Sequence, residues 1–127
     1  MPGPSLSLLV LRTARVGACL EFYQRLGLAM VEEKHGKGPV HYSSSSNGIT
    51  FEIYPETQKN STESRAERTL RLGFRVESLA TTLESLETLG ARVLTPPSIT
   101  QWGHLAVILD PDGREVEISE PLKINKE

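Results

Sequence analysis

Apolar positions along this chain fall into short runs interrupted by two helical stretches, and the same order occurs twice. Leu6–Leu11 is an apolar run, broken only by Ser7, of the kind a well-buried strand shows. Val16, Leu20, Tyr23 and Leu26 then recur at helical spacing, and Gly27 stands where a helix C-terminus favours glycine. Strand-like runs follow at Ala29–Glu33, Val40–Ser44 and Ile49–Tyr54, with Asn47-Gly48 marking a tight hairpin between the last two. The second half repeats this. Leu70–Glu77 reads as a strand, and Ser78 can N-cap a helix carrying Leu79, Leu83, Leu86 and Leu89, closed by Gly90. Strands are predicted near Arg92–Thr95, Trp102–Leu109 and Glu115–Ser119, with Asp110-Pro111-Asp112-Gly113 as the last turn.

The two halves also match residue by residue. Arg12 lies 63 positions before Arg75 and His41 63 before His104, while Phe51-Glu52-Ile53 falls 65 before Val116-Glu117-Ile118. A period this long marks a duplicated supersecondary unit, since a solenoid needs at least three copies. An α+β chain of two tandem βαβββ units follows, with a cleft where the copies face each other. The expected organisation is one domain over residues 1–122: unit one 5–55, a polar linker 56–69 and unit two 70–121. A polar tail occupies 122–127.

Strand alternation sorts the side chains into faces. Ile49, Phe51 and Ile53 should pack on the helix, leaving Thr50, Glu52 and Tyr54 opposite. A two-residue turn at Asn47-Gly48 pairs Ser43 with Glu52 and His41 with Tyr54, so His41 shares the Glu52 face. Leu72, Phe74 and Val76 should face the core, with Arg71, Gly73 and Arg75 turned away. In the last hairpin Leu105, Val107, Leu109, Val116 and Ile118 are expected on the helix side. Trp102, His104, Ala106, Ile108, Glu115 and Glu117 are expected on the other. A wall of aromatic body with a few convergent polar groups suits a small-molecule site.

Composition narrows the function classes. In 127 residues with a net charge of −2 there is no electrostatic footprint for nucleic acid or an anionic membrane. Leu6–Leu11 is too short to cross a bilayer and no basic segment precedes it, so a cytoplasmic protein is expected. The single cysteine, Cys19, excludes an internal disulfide and cysteine-based zinc motifs and reads as a packed small hydrophobe. Asn60-Ser61-Thr62 matches a glycosylation acceptor, without consequence in such a protein.

Leu20-Glu21-Phe22-Tyr23 with Leu26-Gly27-Leu28, Gly73-Phe74-Arg75-Val76, Trp102-Gly103, Asp110-Pro111-Asp112-Gly113 and Val116-Glu117-Ile118 together resemble the vicinal oxygen chelate superfamily. That superfamily includes glyoxalase I, extradiol dioxygenases and bleomycin-resistance proteins. The resemblance implies a curved, cleft-bearing mixed sheet with helices on its outer face, completed in a homodimer. It also implies metal positions at a His in the first strand of each unit and a Glu in the last. Here those positions hold Leu8, Glu52, Arg71 and Glu117. Leucine has no donor atom and arginine is a permanent cation, so no cofactor is expected, a divalent ion on the two carboxylates being the remaining metal option. Arg71 is expected within ion-pair distance of Glu117 or Glu52, in place of the metal.

Two functions compete. A binding protein similar to bleomycin-resistance proteins would hold a small organic ligand against Leu8, Arg12, His41, Tyr54, Arg71, Arg75, Trp102 and His104, without chemistry. A glyoxalase-like lyase or isomerase would instead use Glu52 and Glu117 as metal ligands or as an acid/base pair. His41 and His104 read either as site groups or as wall residues bonded to neighbours. Arg12 and Arg75 read either as an anion clamp or as surface ion pairs. Trp102 reads as a ligand contact or as a cap on the sheet. Ring-cleaving dioxygenase chemistry has no two-histidine, one-carboxylate set at these positions.

Overall fold

The computed structural model describes residues 3–57 and 70–122. Most of the expected linker, Asn60-Ser61-Thr62 and the tail beyond Leu122 lie outside the described residues. Unit one runs β1 (Leu8–Thr13), α1 (Val16–Leu26), β2 (Val31–Glu33), β3 (His41–Ser46) and β4 (Ile49–Pro55). Unit two runs β5 (Arg71–Arg75), α2 (Leu79–Glu87), β6 (Arg92–Thr100), β7 (Gly103–Leu109) and β8 (Glu115–Glu120). Each unit forms an open four-stranded mixed sheet, ordered β1-β4-β3-β2 and β5-β8-β7-β6. The outer pairs β1–β4 and β5–β8 are parallel, and the helix between each unit's first two strands supplies the crossover. No helix among the described residues is long and apolar enough to cross a membrane.

The elements form for local reasons. Asn47 (φ 53°) and Gly48 (φ 82°) both take the left-handed region a two-residue hairpin demands, and this sets Ser46 opposite Ile49 and Ser43 opposite Glu52. The Ser78 hydroxyl accepts from the Thr81 N–H at 3.2 Å and caps α2. Gly103 is required by space as well as by its φ of 136°: a Cβ there would lie 2.5 Å from the Glu120 carbonyl oxygen. Strand β6 extends further than its apolar run suggests, and its register with β7 slips between Val93 and Ser98, around Pro96 and Pro97, which lack the N–H a ladder needs.

One core serves both units. Leu11, Phe22, Tyr23, Phe51 and Ile53 of unit one join Leu72, Leu79, Leu86, Ile108 and Ile118 of unit two in a single buried cluster. Phe74 meets Tyr23 and Phe51 at ring-centroid distances of 6.1 and 5.9 Å. Polar groups cross the same boundary. The buried Arg114 guanidinium donates from Nη1 to Asp110 and Asp112, each at 3.0 Å, and from Nη2 to the Arg12 carbonyl at 2.7 Å. Tyr23 donates to Asp110 at 2.7 Å. The last hairpin loop is therefore an ionic plug holding β1 and α1. Burial pushes the Cys19 thiol up to about 12 and raises the Tyr23 hydroxyl well above its usual range, so Cys19 is a packing residue.

The face assignment of β7 needs correction. Leu109 pairs with Glu115 across a five-residue loop, so Ala106 and Ile108 lie opposite Ile118 and Val116 in the core. Leu105, Val107 and Leu109 instead share the open face with Glu115 and Glu117. In unit one the assignment holds: Phe51 and Ile53 are buried in the core, although Ile49 at the turn is exposed.

Candidate functional site

The open face of the first sheet gathers side chains from all four strands. Leu9 and Leu11 of β1 point to the core, which turns Leu8, Val10 and Arg12 outward, beside Thr50, Glu52 and Tyr54 of β4. The hairpin register then adds Ser43 and His41 of β3, and Glu33 of β2 lies directly opposite His41. The rings stack along this face. His41 lies flat on Tyr54, with centroids 4.1 Å apart and planes 8° from parallel. On the other side of Tyr54 the Arg12 guanidinium carbon is 5.5 Å from the ring centroid, a cation–π contact. His35, in the β2–β3 loop, continues the row with its ring 5.1 Å from that of His41.

Two carboxylates flank the row. His41 Nε2 is 3.3 Å from Glu33 and 3.8 Å from Glu52. His41 is only 1 % exposed, which fixes its ring between these groups. Glu33 and His35 were absent from the expected site. Their placement depends on a seven-residue loop whose length gives no register, although Gly36, with a φ of 58°, marks a turn within it.

The second sheet presents a different surface. Arg71 donates to Glu115 at 2.6 Å and its Nη1 lies 3.5 Å from Glu117, so the ion-pair partner predicted for it is present but Glu115 is the closer one. The half-exposed Glu115 raises the Arg71 pKa above its ordinary value through hydrogen bonding and charge. His104 pairs with Glu120 and shares the parity of Ala106 and Ile108, so it faces the helix side rather than the open face. Trp102 lies in the two-residue turn between β6 and β7, 77 % exposed, and not on the sheet. Arg75 borders a hollow with Val76 and Glu77. A further hollow of about 410 Å³, between α1 and the end of β7, touches none of the expected site residues.

Glu52 and Glu117 lie on different sheets with different partners, His41 and Arg71. The metal positions implied by the resemblance fail a test of fit. Leu8 offers no ligand atom, and Arg71 brings a fixed cation to Glu117 where a metal ion would need that carboxylate.

A family model described as the glyoxalase/bleomycin resistance protein/dioxygenase superfamily matches residues 5–118. No curated protein sequence matches the chain. Among solved structures, the chain is similar to TnmS3, an antibiotic binding protein from Streptomyces sp. CB03234, at 18% identity and a TM-score of 0.71, covering 96% of this chain and 99% of that one. A glyoxalase-related enzyme from Fulvimarina pelagi is 20% identical with a TM-score of 0.70, over 97% and 95% of the two chains. A glyoxalase/bleomycin resistance protein/dioxygenase family enzyme from Burkholderia phytofirmans PsJN is 19% identical with a TM-score of 0.69, over 94% and 100%. At these identities the likeness concerns the fold alone.

Proposed function

This chain belongs to the glyoxalase/bleomycin resistance protein/dioxygenase superfamily, and within it we propose that it binds a small organic ligand on the open face of its first sheet. The observation that carries this reading is the row Arg12–Tyr54–His41, stacked and flanked by Glu52. It supplies aromatic surface, a cation and an anion within one patch, beside the exposed apolar side chain of Leu8. A planar, polar-substituted aromatic compound fits that chemistry: its rings cover Leu8, Val10 and the edge of Tyr54, and its polar groups meet Glu52 or Arg12. No ion takes part between the units, because Arg71 already supplies the positive charge beside Glu117. The likeness in fold to an antibiotic binding protein fits a small organic ligand.

The working unit in this reading is the single domain of residues 1–122, cytoplasmic and paired as a homodimer. An open face with Leu8 and Val31 both more than half exposed is covered when a second copy supplies the opposing wall. The lyase or isomerase alternative asks Glu52 and Glu117 to act on one substrate, and no observation on either sheet favours it over binding. Calorimetric titration of chelator-treated protein with a panel of fused-ring aromatic compounds tests the proposal. Saturable binding that Tyr54→Ala weakens roughly tenfold supports it, since an aromatic contact contributes about 0.5–1.5 kcal/mol beyond buried area. Turnover that needs Glu117 would replace it with the catalytic alternative.

A further inference from the structure

We propose that Glu33, His35 and His41 form a divalent transition-metal site at the base of the β2–β3 loop, separate from the Leu8–Arg71 positions. Ligand atoms of these three residues all lie within 4.8 Å of one another. His41 Nε2 is 3.3 Å and His35 Nε2 3.8 Å from Glu33 Oε1. A tetrahedral zinc ion with bonds of about 2.0–2.1 Å holds its donors about 3.3–3.4 Å apart, so the Glu33–His41 pair is already at that spacing. His35, on the exposed loop, has to close on Glu33 by about 0.5 Å and on the His41 donor from a separation within 4.8 Å.

The second observation is the state of His41. Its Nδ1 donates to the Pro39 carbonyl at 3.2 Å, and a carbonyl can only accept, so the proton belongs on Nδ1. The other ring nitrogen is Nε2. That atom is buried and has no hydrogen-bond partner among the described residues, yet it lies between the carboxylates of Glu33 and Glu52. A buried nitrogen held between two carboxylates calls for positive charge, which either a proton on that nitrogen or a cation among the three groups supplies, and zinc uptake distinguishes the two. An imidazole whose other nitrogen is anchored by a backbone carbonyl is the arrangement metal-binding histidines adopt. Two imidazoles and one carboxylate suit Zn²⁺ or a similar borderline ion, and the Glu52 carboxylate lies 3.8 Å from the His41 nitrogen. The ion ties the end of β2 to the start of β3 and neutralises the acidic edge of the aromatic row.

The test uses the full chain stripped with chelator, then titrated with zinc chloride. One zinc per chain is expected, bound with Nε2 coordination of His41 and a retained Nδ1 proton in ¹⁵N NMR. His35→Gln and Glu33→Gln, at accessible positions, should each weaken uptake at least about tenfold. His41→Gln should abolish it, and His35→Gln carries the test if the buried variant fails to fold. No zinc uptake, or uptake indifferent to His35 and Glu33, overturns the inference while leaving the ligand-binding reading intact. Zinc lost only in Glu117→Gln would place the ion between the units and overturn both.

Discussion

Replacing Arg114 with methionine tests how the two units hold the binding face in place. Arg114 is 2 % exposed and its guanidinium is the buried positive partner of both Asp110 and Asp112. Methionine keeps much of the volume but leaves two carboxylates facing a low-dielectric space. Breaking a buried ion pair from one side costs about 3–5 kcal/mol, because the remaining charge is left uncompensated. Some of that is offset here, since Asp110 keeps the Tyr23 hydroxyl and the Asp112 and Arg114 backbone N–H groups. A loss of about 3 kcal/mol follows, a large share of the roughly 5–15 kcal/mol that holds a small domain together. With a urea dependence of about 1–3 kcal/mol/M, the unfolding midpoint should fall by about 1.5 M. The Arg12 carbonyl also loses its donor, so ligand affinity at the first sheet should drop with stability. Arg71→Met, which touches only exposed carboxylates, should leave the urea midpoint unchanged. An Arg114→Met midpoint within error of the parent would refute the idea that this loop is a stabilising plug.

Other outcomes follow from the same geometry. The Cys19 thiol, held up to about 12 against an ordinary value of 9.0, contributes stability that is complete below pH 9 and is lost as pH rises toward 12. Tyr23 acts with the same sign above pH 10, so urea midpoints should fall steeply between pH 9 and 11, and Cys19→Ser should flatten the first part of that fall. Gly103→Ala should destabilise by about 1–3 kcal/mol in thermal unfolding, since its Cβ would press on the Glu120 carbonyl at a φ that alanine avoids. An unchanged midpoint there would mean that the backbone where β7 meets the end of β8 yields easily.

What the chain discloses without its structure depends on loop length. The Asn47-Gly48 turn admits one register, so Ser43 opposite Glu52 and His41 beside Tyr54 were legible from two residues. The Asp110–Arg114 loop admits several, and β7 is apolar at both parities, so neither turn nor pattern could tell Ile108 from Leu109 as the core residue. That one-residue slip carried His104 to the wrong face. Charged residues in a turn read as solvated, which hid Asp110 and Arg114 in the interior. Glu33 and His35 reach His41 only through a folded loop, so their contribution is a matter of tertiary structure.

The most direct test of the central claim is a residue-resolved map of binding on metal-free protein. Isotope-labelled, chelator-treated chain titrated with fused-ring aromatic compounds should show saturable amide shifts clustered at Leu8, Arg12, His41, Glu52 and Tyr54, weakened in Tyr54→Ala. Shifts confined to the hollow beside Phe22 and Leu89, or binding only after a metal restores a site at Glu52 and Glu117, would contradict it.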